Sequence, residues 1–204
     1  ASKNPSPLSG RNNEQERLIM RKHYTVAGHG FIVDAEESVF TKMKQYQPFL
    51  DDKEDDTLFT LRVQESVSPI LFKEVHRQED EGQSMICGEM PDGKIVLEYQ
   101  LGDKVAGWLV CDQDSKEGDV YYNKNYRFFV TNNALMMMYT FATSNKLTTL
   151  FHSSVVSYKG KAYMFLGKSG TGKSTHSQLW LKHIEGTELV NDDNPVVRIV
   201  DGID

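Results

Sequence analysis

A mixed fold, partly α+β and partly α/β, is predicted by three changes of pattern along the chain. Short apolar runs separated by turn-forming residues fill about residues 57–122 and are typical of strands. Apolar residues recur at helical spacing from about residue 131, and a glycine-rich segment at 167–174 lies between an apolar run and an amphipathic run. We therefore predict a poorly ordered leader (1–19), a β-rich N-terminal domain (20–125) and a strand–loop–helix domain (126–204).

The composition is that of a globular protein with an acidic balance. Hydrophobic residues make up 39% of the 204 residues and charged residues 25%, enough apolar material for a core. The net charge of −6 disfavours a nucleic-acid partner, and no apolar run approaches the roughly 18 residues of a membrane-spanning helix. The N-terminus lacks the apolar segment of a signal peptide. Two cysteines, Cys87 and Cys111, are too few for a disulfide scaffold. We expect a cytoplasmic protein with both thiols buried and no membrane partner; homo-oligomer formation stays open.

The N-terminal half is predicted to be an antiparallel, strand-rich unit. Tyr24–Val33 is typical of one strand interrupted by Gly28 and Gly30, and Asp34 with Glu37 resembles a capping box before a short helix. The acidic cluster at 51–56 indicates a solvated loop. Further strands are predicted at 58–63, 70–75, 85–89, 94–99 and 107–111, with a hairpin turn at 90–93. No catalytic pattern is visible in this half, and Trp108, Tyr121 and Tyr122 are interpreted as core or interface residues.

The second domain begins with a predicted buried helix, Thr131–Ser144. Strands at 150–158 and 161–166 follow, joined by a hairpin turn at Lys159-Gly160. A helix with Leu179, Trp180 and Ile184 on one side is predicted after the glycine-rich segment. We expect the boundary with the first domain to fall between residues 120 and 131.

The glycine-rich segment matches a phosphate-binding motif without a gap. Gly167-Lys168-Ser169-Gly170-Thr171-Gly172-Lys173-Ser174 fits G-x-x-x-x-G-K-[ST], the P-loop or Walker A pattern, between a predicted strand and a predicted helix. Glycines allow consecutive backbone N–H groups to converge on an anion, and the helix adds its positive end. Lys173 is expected to reach the β- and γ-phosphates, and Ser174, with Thr175 as a weaker candidate, to bind Mg²⁺. The motif predicts a nucleoside triphosphate, without distinguishing ATP from GTP.

Two carboxylates follow about one helix later. Asp192-Asp193 comes at the end of a short predicted strand, 188–191, and Asn194-Pro195 is typical of a turn. Phosphoryl transfer uses one carboxylate for the metal and a second for the proton of the attacking hydroxyl. Neighbouring strand residues face opposite ways, so we expect both to serve only if the backbone turns there. Asp192 and Asp193 are therefore predicted metal and base residues.

The run from His152 through Gly167–Ser174 to Asp192-Asp193 resembles the catalytic domain of HPr kinase/phosphorylase and its relatives of phosphoenolpyruvate-carboxykinase-like fold. They share a G-x-S-G-x-G-K-S loop, a strand hairpin leading into it and a later Asp-Asp pair. The resemblance covers about residues 128–200, with Thr175 where that family usually has glutamate. It implies a Mg-ATP-dependent kinase acting on a hydroxyl, such as a protein or peptide serine, with His152 near the transferred phosphate. From the residues alone, His152 is more simply a hydrogen-bonded sheet histidine.

Two expectations complete this interpretation. The family's catalytic domain continues past the position that Asp204 reaches, so the phosphate-binding domain is expected to be incomplete at its C-terminus. The predicted nucleotide-binding residues are Gly167, Ser169, Gly170, Thr171, Gly172, Lys173, Ser174 and Thr175; the predicted catalytic residues are Lys173, Asp192, Asp193 and His152. The alternative is a regulatory protein that binds nucleotide without catalysis.

Overall fold

The computed structural model describes residues 18–52 and 56–200. The predicted leader, apart from Leu18 and Ile19, and the middle of the acidic cluster lie outside the described residues. The strands are β1 (Ile19–Val26), β2 (His29–Glu36), β3 (Thr57–Glu65), β4 (Lys73–Asp80), β5 (Gln83–Glu89), β6 (Ile95–Leu101), β7 (Lys104–Cys111), β8 (Glu117–Tyr122), β9 (Thr148–Leu150), β10 (Ser153–Tyr158), β11 (Lys161–Leu166), β12 (Glu188–Asp193) and β13 (Val196–Arg198). The α-helices are α1 (Glu37–Phe40), α2 (Arg127–Thr143) and α3 (Lys173–His183), with 3-10 turns at Lys44–Phe49 and Lys124–Tyr126.

The N-terminal half forms one eight-stranded mixed sheet, in the order β1-β2-β3-β8-β7-β6-β5-β4. The expectation of a purely antiparallel unit is wrong at β3, which pairs in parallel with both β2 and β8. The chain returns to the middle of the sheet through β8, a strand missing from the sequence prediction. The hairpin predicted at 90–93 is confirmed, since β5 and β6 pair antiparallel across it.

The first predicted strand is a hairpin instead. The chain turns at Ala27-Gly28, where both residues have positive φ (48° and 73°), so that β1 and β2 pair along their whole length. Asp34 does not cap a helix: it lies within β2, and its carboxylate accepts two hydrogen bonds from Arg21, each of 2.8 Å. The strand continues to Glu36, so the short helix begins three residues after Asp34 and has no side-chain cap.

Helix α2 covers one face of the large sheet. Val130, Ala134, Leu135, Met138 and Tyr139 are buried in one apolar cluster with residues of β2, β3, β7 and β8. The helix predicted to open the second domain thus shares its core with the strands of the first. None of the helices formed by residues 18–52 and 56–200 is long and apolar enough to cross a lipid bilayer.

Aromatic and cysteine side chains complete the interior. Tyr122 and Trp108 are buried, as predicted, and the Trp108 indole donates a hydrogen bond to Glu98 (2.8 Å). Cys111 is buried while Cys87 is half-buried, and both are free thiols. Burial raises the pKa of the Cys111 thiol to about 11, which keeps it neutral and unreactive at physiological pH.

The C-terminal part forms two small sheets beside the large one. One has the order β11-β10-β12, and the other pairs β9 with β13. The strand predicted at 150–158 is interrupted at Phe151 and His152, so its two halves belong to different sheets. Two contacts join the β9–β13 pair to the hairpin of the large sheet: Arg198 donates to the Ala27 carbonyl (2.7 Å) and His29 bonds Thr148 (2.8 Å).

Candidate functional site

The three-stranded sheet brings several chain segments to one edge. Because β10 pairs antiparallel with both β11 and β12, those two strands run parallel to each other. Ser153, the first residue of β10, is therefore opposite both Leu166, the last residue of β11, and Asp193, the last residue of β12. The glycine-rich segment leaves β11 at this edge, and the aspartate pair ends β12 there.

The glycine-rich segment, which we call the glycine loop (167–174), turns directly into α3. Gly170 and Gly172 have φ of 77° and 87°, a conformation that side chains other than glycine disfavour. Gly172 is the residue that precedes the helix, and its carbonyl accepts the first helical bond, from His176 (2.9 Å). The N–H groups of Lys173, Ser174 and Thr175 thus have no carbonyl partner in the helix. They form an N-terminal group of donors suited to an anion.

The side chain of Lys173 folds back over the glycine loop. Its Nζ donates to the carbonyl oxygens of Gly167 (2.9 Å) and Lys168 (3.1 Å). The Thr171 hydroxyl donates to the same Lys168 carbonyl (2.8 Å). These bonds hold the ammonium group at the mouth of the loop, and a bound anion can compete for it because an ammonium has three donors.

A cavity of about 330 Å³ lies at this edge of the sheet. Its volume falls at the lower end of the range for small-molecule sites. It is lined by six residues of the loop and first helical turn, by both aspartates and by the start of β10: Ser169, Gly170, Gly172, Lys173, Ser174, Thr175, Asp192, Asp193, His152, Ser153 and Ser154. Gly167 and Thr171 contribute to the shape of the loop rather than to the lining. His152 is exposed and precedes β10, so it lies outside the sheet.

The two aspartates differ in the face of the sheet that they occupy. Asp192 is opposite Ser154, and Asp193 is opposite Ser153. Directly opposite residues share a face, and consecutive residues alternate. Ser154 contacts Ser177 of α3 through their hydroxyls, which identifies its face as the helix side. Asp192 is therefore on the helix side and Asp193 on the other.

The expected turn does not separate the aspartates, because both belong to β12, which runs through Asp193. Both line the cavity nevertheless, since the strand ends at its edge. An irregularity in the pairing between Val155 and Val156 leaves Val190 as an extra residue on β12. Bulges of this kind re-aim the residues that follow them. The bulge therefore sets the register that places the aspartates opposite the two serines.

Three serines of the site were not predicted. Ser154 and Ser177 join β10 to α3, and the Ser177 hydroxyl also donates to the Lys173 carbonyl (3.3 Å). Ser153 is 1% exposed, and its hydroxyl has no hydrogen-bond partner among the described residues. The available signal for Ser153 and Ser154 was two small polar residues directly before the apolar pair Val155-Val156.

Aromatic packing holds α3 against the sheet. The Trp180 ring lies 4.9 Å from the Tyr163 ring and 5.6 Å from the Phe165 ring, and Tyr158 contacts it edge-on. Leu179 and Trp180, expected on one side of this helix, differ in exposure: Trp180 packs against the sheet, whereas Leu179 is 49% exposed. The start of the helix, and with it the loop, is thereby fixed relative to β11.

The oxygen-rich lining fits Mg²⁺ better than a softer metal. Within residues 18–52 and 56–200 no three His, Cys, Asp or Glu side chains form a metal-binding group. Magnesium is usually held by one or two carboxylates together with substrate phosphates. The Ser174 hydroxyl and the Asp192 and Asp193 carboxylates are oxygen donors of that kind around one cavity.

Comparison with known proteins gives no further assignment. No protein-family model matches the chain, and no curated protein matches it either.

Proposed function

We propose that the protein binds a nucleoside triphosphate, ATP in the first instance, together with Mg²⁺, and transfers its terminal phosphoryl group to a hydroxyl acceptor. The observation that carries the proposal is the convergence of the glycine loop, Lys173 and the aspartate pair on one cavity. The residues come from two separate segments of the chain, and each supplies chemical groups that phosphoryl transfer requires.

The first step is binding of the phosphates at the loop. The N–H groups at the start of α3 and the Lys173 ammonium group would supply the positive charge that attracts the phosphates. A triphosphate would replace the bonds that Lys173 now makes to Gly167 and Lys168. In this proposal the segment is a P-loop, and its domain is of the phosphoenolpyruvate-carboxykinase-like type that the resemblance implies.

The second step divides the two carboxylates between metal and proton. Asp192 is on the same face as α3, which carries Ser174, so these two residues would hold Mg²⁺ with the phosphates. When bound, Mg²⁺ would neutralise charge on the β- and γ-phosphate oxygens. Asp193, on the opposite face, would accept the proton of the acceptor hydroxyl. The oxygen of that hydroxyl would attack the terminal phosphorus, and the nucleoside diphosphate would leave. His152, exposed at the mouth, would contact the phosphoryl group or its acceptor.

The acceptor in this proposal is a serine of a protein or peptide, as in the HPr kinase-like family that the sequence resembles. The cavity opens at the edge of a small sheet, where His152, Ser174, Asp192 and Asp193 are at least partly exposed. Such an open site suits a macromolecular acceptor better than a buried pocket would. The cytoplasmic location, which rests on cysteine usage, belongs to the same proposal.

Phosphoryl transfer is tested with γ-labelled ATP, Mg²⁺ and a library of serine peptides. We expect label in peptide with the unaltered protein and at least a 100-fold loss of transfer in Asp193→Asn, with nucleotide affinity retained. Asp192→Asn should instead raise the Mg²⁺ concentration needed for half-maximal rate. Asp103→Asn, an exposed aspartate in the β6–β7 turn, is the matched control. Nucleotide binding without transfer to any acceptor would favour the regulatory alternative, and absence of binding would refute both.

A further inference from the structure

Ser153 is the one residue lining the cavity whose side chain is both buried and without a hydrogen-bond partner among the described residues. A buried hydroxyl that makes no hydrogen bond is costly, because it has given up its bonds to water. Most such groups in folded proteins have a partner, so the exceptions call for an explanation. Where such a group lines a cavity, a molecule bound there can supply the missing hydrogen bond.

The position of Ser153 within the sheet narrows down that ligand. It is opposite Leu166, which directly precedes the glycine loop, and opposite Asp193, the proposed base. Lys173 bonds the carbonyl of Gly167, the residue next to Leu166. Ser153 therefore lines the same cavity as the lysine that would hold the outer phosphates, and it is paired across the sheet with the carboxylate that would receive the acceptor's proton. The group that occupies this place in the proposed reaction is the terminal phosphate.

Its neighbour on β10 shows that the hydroxyl has no structural role of the same kind. Ser154, on the other face, bonds Ser177 and so fastens α3 to the sheet. Within the described part of the chain the Ser153 hydroxyl has no equivalent contact, although both residues are buried. The sheet thus uses one serine for assembly and leaves the other available at the cavity.

We propose that the Ser153 hydroxyl donates a hydrogen bond to an oxygen of the terminal phosphate and so distinguishes a bound nucleoside triphosphate from a diphosphate. The inference rests on the proposed function, since it requires nucleotide at the glycine loop. A hydrogen bond to a charged oxygen is stronger than one between neutral groups. Loss of the hydroxyl should therefore weaken triphosphate binding about ten-fold and leave diphosphate binding unchanged.

The test compares Ser153→Ala with the unaltered protein by thermal unfolding and by titration with Mg²⁺ and either ADP or a non-hydrolysable ATP analogue. We expect the melting temperature without nucleotide to be equal or higher in the variant, because alanine removes an unsatisfied polar group. The triphosphate affinity should fall about ten-fold, while the ADP affinity stays within two-fold.

Thr131→Val is the matched control. Thr131 is also buried, and its hydroxyl also has no partner among the described residues, but it is in α2, away from the cavity. This variant should bind both nucleotides as the unaltered protein does.

Three results would overturn the inference. A lower melting temperature of Ser153→Ala without nucleotide would mean that the hydroxyl has a structural partner. Unchanged triphosphate affinity, or equal losses for ADP and the analogue, would mean that it does not contact the terminal phosphate. In each of these cases the proposed function would stand if the unaltered protein binds nucleotide and Lys173→Ala does not. If neither nucleotide binds the unaltered protein, the proposed function fails and this inference with it.

Discussion

Replacement of Gly172 by alanine should destabilise the protein by about 1 kcal/mol, through the backbone alone. Gly172 has φ of 87°, and the atom nearest to an added Cβ, the Thr175 Cβ, is 4.0 Å away, so no clash arises. A left-handed conformation costs a non-glycine residue about 1–2 kcal/mol. Restriction of the unfolded chain by alanine offsets about 0.4–1 kcal/mol of this. In a protein of this size, a loss of about 1 kcal/mol lowers the melting temperature by about 2–4 °C.

Gly186→Ala is the control that separates an effect of backbone strain in the glycine loop from an effect of the same strain elsewhere in the protein. Gly186, in the turn after α3, has φ of 81° and also has open space around it, so its replacement should cost the same free energy of unfolding. Only Gly172→Ala should also weaken nucleotide binding, by up to about five-fold, because any strain that the free loop relieves by leaving the left-handed conformation has to be restored when nucleotide binds. Urea unfolding and nucleotide titration measure the two effects. Unaltered stability of Gly172→Ala, or equal weakening of binding by Gly186→Ala, would refute this reasoning.

Three further predictions concern stability. Trp180→Ala should lower the free energy of unfolding by roughly 2 kcal/mol, because the half-buried indole packs on three aromatic rings. Leu179→Ala should change it by no more than about 0.5 kcal/mol. Equal effects of the two variants in urea unfolding would contradict the packing of α3 against the sheet. Met138→Ala, at a fully buried position, should cost about 2–5 kcal/mol, and a smaller loss would mean that α2 does not pack on the large sheet. Burial and the positive charges of Arg198 and Lys146 lower the pKa of His29, so the unfolded chain takes up a proton where the folded protein does not. The corresponding stability is complete above about pH 6.5 and is lost as the pH falls through the lowered pKa; His29→Gln should flatten this part of the profile, and an unchanged slope would exclude His29 as its source.

Local patterns predicted the elements that depend on neighbours in sequence. The turn at Gly93 and the hairpin at Lys159-Gly160 are where the turn-forming residues indicate. The first hairpin was missed because its turn has alanine, a residue that rarely adopts the positive φ found at Ala27. The prediction that Asp34 caps a helix is wrong because aspartate occurs both at helix N-termini and in ion pairs between strands. Only the position of Arg21 on the neighbouring strand, which the structure supplies, decides between the two roles.

Pairing between distant strands was not readable from the chain. The parallel neighbours of β3 are separated from it by loops and by the whole β4–β7 meander, and periodicity carries no information about partners at that distance. The packing of α2 on the large sheet has the same origin, because its buried face contacts not only the nearby β7 and β8 but also β2 and β3, which come much earlier in the chain. Helix α2, placed in the second domain by the change of pattern, therefore shares a core with the strands of the first.

For the candidate site, the sequence pattern predicted which residues lie near one another better than it predicted how they are arranged. The loop, Lys173 and both aspartates line one cavity, as the motif led us to expect, although the aspartates do so from a strand end rather than a turn. Ser153, Ser154 and Ser177 escaped notice because a serine acquires significance only from what surrounds it. The burial of the Ser153 hydroxyl and the contact between Ser154 and Ser177 arise only when β10 pairs with β12 and packs against α3.

Calorimetric titration of the unaltered protein and of Lys173→Ala with Mg²⁺ and a non-hydrolysable ATP analogue tests the central claim most directly. Lys182→Ala, an exposed lysine at the other end of α3, is the matched control. We predict saturable binding that Lys182→Ala retains and Lys173→Ala loses. At 100 times the dissociation constant, bound nucleotide should stabilise the unaltered protein and Lys182→Ala by about 2.7 kcal/mol, and should not stabilise Lys173→Ala. Equal binding by Lys173→Ala, or no binding by the unaltered protein, would contradict the assignment of the glycine loop as a phosphate site.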